Sequence, residues 1–256
     1  MIPSPEKYTA KARKATADPV LQKALAGLQE RFGRGTALAY QQLPEGPDLR
    51  HVAHDIRMDA IHHLDSLLEE LAGNFRKNGG QVYFARDAQE AVAYCLKVAE
   101  ANHVRRVVKG KSMVTEEIRL NAAHTDAGIE TLETDLGEYI IQLAGEAPSH
   151  IIAPAVHKSK EDVGRLFEDK LGIDYTNDPP SLTRAARKAL RKKFLAADMG
   201  LSGCNFACAE TGHITTVSNE GNIRMASTLP RIHMVFMGME RVVARLQDLD
   251  ILLRLL

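Results

Sequence analysis

The polar stretch Gly203–Pro230 carries many of the residues in this sequence that could do chemistry. Glu210 follows the short run Asn205–Ala209, and a carboxylate at the end of a strand is a potential nucleophile or base. Two runs around the Asn/Gly cluster of this stretch, Ile214–Val217 and Ile223–Met225, predict the strands of a β-hairpin, because Gly and Asn tolerate positive φ. An ordinary hairpin seldom holds so many polar side chains, which indicates a functional surface. The candidate ligand-binding residues of the stretch are Asn205, Thr211, Gly212, Asn219, Glu220, Gly221, Asn222 and Arg224.

A second cluster, Val108–Ser112, has some features of a phosphate-binding loop. A Walker A loop requires glycine five positions before Gly110, and Arg105 stands there, which excludes a mononucleotide P-loop. What remains is a strand that ends in Lys-Gly-Lys-Ser before a helix, where free N–H groups and the helix dipole favour an anion. The alternative is an ordinary strand-to-helix turn with solvated lysines. The candidate ligand-binding residues of this cluster are Lys109, Lys111, Ser112, Thr115 and Glu116.

The cysteines and histidines do not form a metal motif. Cys204 and Cys208 are spaced C-x3-C and Cys95 is distant, whereas a structural zinc site or a cubane cluster needs four ligands at suitable spacing. Cysteine is also among the most buried residue types, so core packing is the favoured interpretation. The sequence therefore predicts that this chain alone binds no metal and no cofactor.

The composition is that of a soluble, cytoplasmic protein. The formal net charge of the 256 residues is zero, so no global field attracts nucleic acid or an anionic membrane. A basic predicted helix, 181–199, has no stacking aromatic residues among its cations, so we expect a solvated face or an acidic protein partner rather than nucleic acid. Three cysteines suggest a reducing compartment, and neither a signal peptide nor a membrane span is predicted.

The elements that must position these residues alternate between strand and helix from Gln81 onward. Such alternation predicts an α/β fold with an open, Rossmann-like, mainly parallel sheet. Ligands bind at the carboxyl ends of such strands, so Lys111, Ser112, Glu210 and the Asn219–Asn222 turn are expected to line one concave site. The predicted strands are 81–85, 105–109, 129–134, 150–153 and 233–237.

The sequence before this region predicts only helices. Residues 1–78 are expected to form an N-terminal helical appendage, and 79–256 the α/β domain. A helical pattern over 5–32 is followed by Gly33-Arg34-Gly35, which predicts a break, and a longer helix is expected over 49–78.

Several motifs resemble the signature of the LUD domain, in particular that of the lactate-utilisation protein B family of iron–sulfur proteins. They are Lys111–Ile118, Ala209–Gly212, Asn219–Met225 and Leu229-Pro230. The resemblance covers essentially the whole chain. It implies a fold similar to the NagB/RpiA/CoA-transferase group. It also implies a part in electron transport and in the oxidation of L-lactate to pyruvate, within an oxidoreductase complex of three proteins.

The same resemblance implies iron–sulfur clusters outside this chain. Family members continue into a ferredoxin-like segment that carries [4Fe–4S] clusters, whereas this sequence stops inside the apolar run 248–256. We therefore expect it to be the LUD portion of a longer protein; a terminal helix docked on the core is the alternative.

Three functions remain open at this point. The domain could hold a substrate, a cofactor or a partner within a redox complex. It could instead catalyse acyl or CoA transfer, because Glu210 is similar in setting to the nucleophilic glutamate of CoA-transferases, with the Gly212 N–H as a possible oxyanion donor. It could also be a docking module without chemistry, in which Glu210 only braces the hairpin.

Overall fold

The computed structural model describes residues 5–146, 148–149 and 153–256. Residue contacts divide the chain into two compact units, Met1–Pro44 with Ile140–Ala185 and Glu45–Tyr139 with Ala186–Leu256. The second unit contains both β-sheets and every candidate site residue named above.

The helices of the described residues are, in chain order, α1 (Pro5–Ala17), α2 (Pro19–Gln42), α3 (Gly46–His62), α4 (Leu64–Lys77), α5 (Ala88–Ala101), α6 (Met113–Glu117), α7 (Leu120–Asp126), α8 (Leu136–Ala144), α9 (Lys160–Leu171), α10 (Pro179–Ala196), α11 (Asn222–Thr228) and α12 (Leu246–Arg254). The strands are β1 (Arg106–Lys109), β2 (Glu130–Glu133), β3 (Met199–Gly203), β4 (Phe206–Cys208), β5 (His213–Thr215), β6 (Ile232–Phe236) and β7 (Val242–Val243). A short 3-10 helix covers Met239–Arg241.

A four-stranded parallel sheet in the order β2-β1-β3-β6 organises the second unit. All its strands run the same way, so their carboxyl ends meet at one edge. One face of the sheet packs against α5 and α7 through a core that includes Cys95, Leu120, Met199 and Leu201. The arrangement confirms the predicted open, Rossmann-like α/β fold.

The β-hairpin predicted around the Asn/Gly cluster is wrong, and a different hairpin forms earlier in the stretch. Strands β4 and β5 pair antiparallel, and the turn between them is Ala209–Gly212. The cluster Asn219–Asn222 instead leads into α11, so the predicted strand at Ile223–Met225 is wrong. β7 adds to β4 in parallel and completes a separate three-stranded sheet.

Helices α3 and α4 cover this second sheet. Leu67, Leu68 and Leu71 of α4 share a core with Ala207 of β4 and Val242 of β7. The single helix expected over 49–78 is interrupted at His63, whose backbone ends α3 and precedes α4. The break predicted at Gly33–Gly35 is also wrong, because α2 continues through these glycines to Gln42.

Two other strand predictions need comment. Residues 81–85 form no ladder with any described strand, so the strand predicted there is wrong. Residues 150–152 lie outside the described part of the chain, so the strand predicted at 150–153 remains a prediction there. No helix in the described part of the chain combines the length and the hydrophobicity that crossing a bilayer requires.

A buried histidine, His124, lies within the core beneath the four-stranded sheet. Its Nδ1 is 2.7 Å from Thr131 Oγ1, and its Nε2 is 3.5 Å from Cys95 Sγ. Burial lowers the pKa of His124 to about 4 and raises that of Cys95 to about 12. Both groups are therefore neutral at physiological pH, and the thiol lacks the thiolate character of a nucleophile.

The central strand β3 depends on a glycine that the sequence pattern did not indicate. A Cβ atom at Gly200 would lie 1.7 Å from the Ala226 carbonyl oxygen of α11, a contact that rigid backbone cannot relieve. By contrast, a Cβ atom at Gly73, within α4, would have no heavy atom within 4 Å.

We therefore expect Gly200→Ala to destabilise the protein by about 3 kcal/mol or more, because α11 must move away from the sheet. Gly73→Ala is the matched control, and it should stabilise α4 by about 0.5–1 kcal/mol through backbone entropy. Urea denaturation of both variants measures the difference. Equal stability of the two variants would contradict the close packing of α11 on β3.

Candidate functional site

A buried ion pair joins the carboxyl ends of β1 and β2. Lys109 Nζ lies 2.8 Å from Glu133 Oε1 and 3.1 Å from Oε2, and the lysine side chain is fully buried. Asn121 Nδ2 donates a third hydrogen bond to Glu133 Oε1 at 2.6 Å. A charge this deep requires a close partner, so Lys109 supports the sheet edge and is not exposed to bind a ligand directly.

The next lysine, Lys111, is placed differently. Its Nζ lies 3.3 Å from Glu138 Oε1, and it has no well-formed hydrogen bond in the described part of the chain. An ammonium group has three donors, so most of its capacity is available to an anion. The side chain is 21% exposed as a whole, but its Nζ atom is buried.

Two carboxyl groups near these lysines hold protons more tightly than exposed glutamates. Burial raises the pKa of Glu138, and the charge of Glu116 raises it further, against the opposing effect of Lys111. Burial likewise raises the pKa of Glu116, opposed mainly by Lys109. Both carboxyls are therefore suited to exchanging a proton with a bound molecule closer to neutral pH than an ordinary glutamate.

The Asn219–Asn222 turn closes over this edge of the sheet. Asn222 Nδ2 donates to Thr134 Oγ1 at 3.2 Å, and that hydroxyl donates to the Lys109 carbonyl at 2.9 Å. Glu220 Oε2 accepts the N–H of Leu136 at 3.2 Å, and burial raises the pKa of this carboxyl. Gly221 has φ +75°, a conformation that favours glycine, and allows the turn to enter α11.

Two small residues let the strand ends approach this cluster. A Cβ atom at Gly110 would lie 2.7 Å from Ile223 Cγ1, and one at Gly203 would lie 3.0 Å from Ser112 Oγ. Ser112 caps α6 through its hydroxyl, which accepts the Thr115 N–H at 3.4 Å, and Thr115 Oγ1 donates back to the Ser112 carbonyl at 2.8 Å. Their polar groups thus hold the loop in shape.

Glu210 lies in the three-stranded sheet, apart from the carboxyl ends of β1 and β2. Its carboxylate accepts the N–H of Leu246 at 2.9 Å, at the positive end of α12. Asn74 Nδ2 donates to its carbonyl oxygen at 3.1 Å, and its own N–H donates to the Ala244 carbonyl at 3.0 Å. These bonds make Glu210 a brace between the hairpin turn, α4 and α12.

The other candidates of the hairpin also make structural contacts. The Thr211 carbonyl accepts Asn78 Nδ2 at 2.9 Å, and Asn205 Oδ1 accepts the Val217 N–H at 2.9 Å. Gly212 has φ +69°, and a Cβ atom there would lie 2.6 Å from the Phe75 nitrogen. Arg224 is exposed on α11. The structure thus brings together Lys111, Ser112, Glu116, Glu220 and Asn222, while Glu210, Thr211 and Gly212 lie in the other sheet.

Three site residues were missed by the sequence analysis. Glu133, Thr134 and Glu138 follow or end β2, and the pattern of polar residues at the end of a predicted strand was the available signal. Their importance depends on pairing with β1, which the local sequence does not specify.

The three cysteines do not suit a [4Fe–4S] cluster. All three are free thiols; Cys95 and Cys208 are buried, and Cys204 is half-buried with a pKa raised by burial to about 12. A cubane cluster requires four cysteine thiolates. The described residues also contain no group of three or more His, Cys, Asp or Glu side chains that could hold a metal ion.

Comparison with known proteins defines the class. A family model for the LUD domain matches residues 68–256, and the chain belongs to this family. The matched region begins within α4 and includes both sheets, whereas α1, α2 and α3 precede it.

The most similar relatives carry names that refer to lactate or electron transport. The chain is 42% identical over 249 residues to "Uncharacterized electron transport protein YkgF" of Escherichia coli K12, covering 97% of the chain and 52% of the relative. It is 44% identical over 250 residues to "Lactate utilization protein B" of Shouchella clausii, covering 97% and 53%. For the protein of that name in Bacillus subtilis the identity is 44% over 237 residues, covering 92% and 50%. The chain therefore spans about half the length of these relatives. No solved structure matches it.

We expect Lys109→Met to destabilise the fold by about 3–5 kcal/mol, because it leaves Glu133 buried without its counter-charge. Lys111→Met should cost less than about 1 kcal/mol, because its buried ammonium forms one long ion pair and no well-formed hydrogen bond, so little is lost with it. Urea denaturation of both variants tests the contrast. Similar losses for the two lysines would show that Lys109 is not the structural member of the pair.

Replacing Glu210 tests whether this carboxylate is structural. Glu210→Gln should lower stability by about 1 kcal/mol, because an amide oxygen is a weaker acceptor for the first turn of α12. A thermal melting curve of the variant and of the unchanged chain measures the loss. An unchanged melting temperature in the variant would contradict a bracing role for Glu210.

Proposed function

We propose that this chain is the LUD-domain portion of an iron–sulfur protein that takes part in the oxidation of L-lactate to pyruvate. In this proposal the protein acts in the cytoplasm within a complex of lactate-utilisation proteins. The identity of 40–44% over nearly the whole chain with proteins named lactate utilization protein B supports it. In this proposal the iron–sulfur clusters that carry the electrons lie outside this chain.

The proposed role of the domain is to hold a small carboxylate at the carboxyl edge of the four-stranded sheet. The observation that carries this is Lys111, whose buried Nζ has one carboxylate neighbour at 3.3 Å and unused donors. The carboxylate of lactate or pyruvate would pair with this ammonium. The edge lies where ligands bind in other open α/β sheets.

The neighbouring carboxyl groups define what the residues could do for such a ligand. Oxidation of L-lactate removes the proton of the hydroxyl group. It also removes the hydrogen of the carbon that bears the hydroxyl, together with the two electrons of that C–H bond. Glu138 or Glu116 in its ionised form would accept the hydroxyl proton, because burial has raised the pKa of both. The hydrogen on the α carbon and its two bonding electrons would leave together, as a hydride equivalent, to a redox carrier of the complex outside this chain.

The other two functions have less support. Acyl transfer through Glu210 would require its carboxylate to be free to attack, whereas it accepts the N–H of Leu246 at 2.9 Å. A docking module without chemistry would leave the unused donors of Lys111 unexplained. Both arguments come from the contacts of Glu210 and Lys111 and not from the comparison with other proteins.

Thermal shift assays with L-lactate, pyruvate, CoA and nucleotides test the ligand site. A carboxylate present at a hundredfold excess over its Kd should stabilise the chain by about 2.7 kcal/mol, which raises Tm by several degrees. Lys111→Met should abolish the shift, and Lys192→Met, an exposed change on α10, should retain it. No shift with either carboxylate, or an equal shift in Lys111→Met, would contradict the site.

A further inference from the structure

The strand β6 presents a free edge of the four-stranded sheet. Its inner edge pairs with β3 along Ile232–Phe236, and β6 is last in the strand order. Among the described residues no hydrogen bond reaches the outward-facing backbone groups of this strand. A row of unpaired N–H and C=O groups is a template on which another extended segment can pair.

A groove of about 1670 Å³ lies at this edge and is large enough for a peptide. β6 lines it together with residues of α5, such as Tyr94 and Lys97, and residues of α11, such as Ile223 and Arg224. Pockets for small molecules usually have volumes of about 300–1,000 Å³. The size and the free strand edge together favour an extended polypeptide over a small metabolite.

The charge of the groove indicates an acidic occupant. Lys97, Arg224 and Arg231 line it, and none of them forms an ion pair with a described carboxylate. Arg231 instead donates to the carbonyl groups of Asn102. Asp87 is the one carboxylate among the lining residues, and its oxygen is engaged as the cap of α5, where it accepts the Glu90 N–H.

The groove also offers apolar contacts for alternate side chains. The rings of Tyr83 and Tyr94 stack with their centroids 3.9 Å apart, and both line the groove. Phe84 is 50% exposed beside them, although an aromatic ring gains free energy from burial. An added strand would direct every second side chain to one face, where such surfaces could bury it.

We propose that this groove binds an extended, acidic segment of a partner protein, which pairs with β6 as an additional strand. Carboxylates of the segment contact Lys97, Arg224 and Arg231, and apolar side chains between them contact the aromatic wall. The inference does not depend on the proposed carboxylate site, because Lys111 and Glu138 are not among the residues that line the groove.

A random peptide library displayed on phage is the probe for this surface. Selection against the chain should enrich peptides with alternating acidic and apolar residues relative to the unselected library. The affinity of a selected synthetic peptide, measured by fluorescence anisotropy, should fall about tenfold or more for the double variant Lys97→Glu/Arg224→Glu. The matched control Arg191→Glu/Lys192→Glu reverses two exposed charges on α10 and should bind normally.

Strand addition has its own readout. Methylation of alternate backbone nitrogens in the peptide should remove binding in one of the two registers, because β6 then loses its hydrogen-bond partners. Bound peptide should also slow amide exchange in Ile232–Phe236. Failure to enrich acidic peptides, equal binding by both charge variants, or tolerance of methylation in both registers would overturn the proposal. A dimer in sedimentation that Lys97→Glu/Arg224→Glu dissociates would assign the groove to a second copy of the chain and would also overturn it.

Discussion

The buried pair of Lys109 and Glu133 is the constraint on which the carboxyl edge of the four-stranded sheet depends. Its two charges end neighbouring parallel strands, so they form a close pair only when β1 and β2 are aligned in the observed register. Slippage by one residue would direct the lysine to the opposite face of the sheet and leave both charges buried and unpaired. The pair therefore fixes the alignment of β1 and β2 more firmly than an apolar contact of equal size.

The position of Lys111 follows from that alignment. Alternation places Lys109 and Lys111 two residues apart, yet the first is neutralised by a bidentate contact at 2.8 and 3.1 Å and the second by a single contact at 3.3 Å. Lys109 thus stabilises the fold, whereas the ammonium of Lys111 keeps hydrogen-bond donors that no described residue uses. Nothing in the local sequence Lys-Gly-Lys distinguishes the two lysines. Their ion pairs differ because Lys109 faces Glu133 of β2, whereas Lys111 faces Glu138 of α8.

The sequence predicted the parallel sheet from the order of its strands and helices, and β1 is the clearest of the predicted strands because it is a buried, valine-rich run. It missed β3, which contains Gly200, Ser202 and Gly203 and so lacks the β-branched residues that typify a central strand. Those small residues are required by the approach of α11 and of Ser112. It wrongly predicted a strand at 81–85, because a short apolar and aromatic run such as Val82–Phe84 favours a strand whether or not a sheet edge is available to pair with it.

The candidate site was predicted in part for a related physical reason. Stretch 203–230 is rich in polar residues along its length. The chain nevertheless leaves the four-stranded sheet after β3, forms the hairpin in the second sheet, and returns only at Ser218–Asn222. The periodicity of apolar residues predicts which side chains share one face of a strand or helix. It does not predict which of two sheets a strand joins. Glu210 and Asn222 therefore had equal standing in the sequence, although their environments are unrelated.

Helix α11 belongs to both surfaces discussed above. Its first residue, Asn222, bonds Thr134 at the carboxyl edge, the next, Ile223, fills the space beside Gly110, and Arg224 faces the groove along β6. The helix has only seven residues and packs its backbone on Gly200, so it has little freedom to tilt without moving both surfaces. A partner that contacts Arg224 would therefore act on the same short element that closes the carboxyl edge, which gives the two sites a physical connection through a single turn of helix.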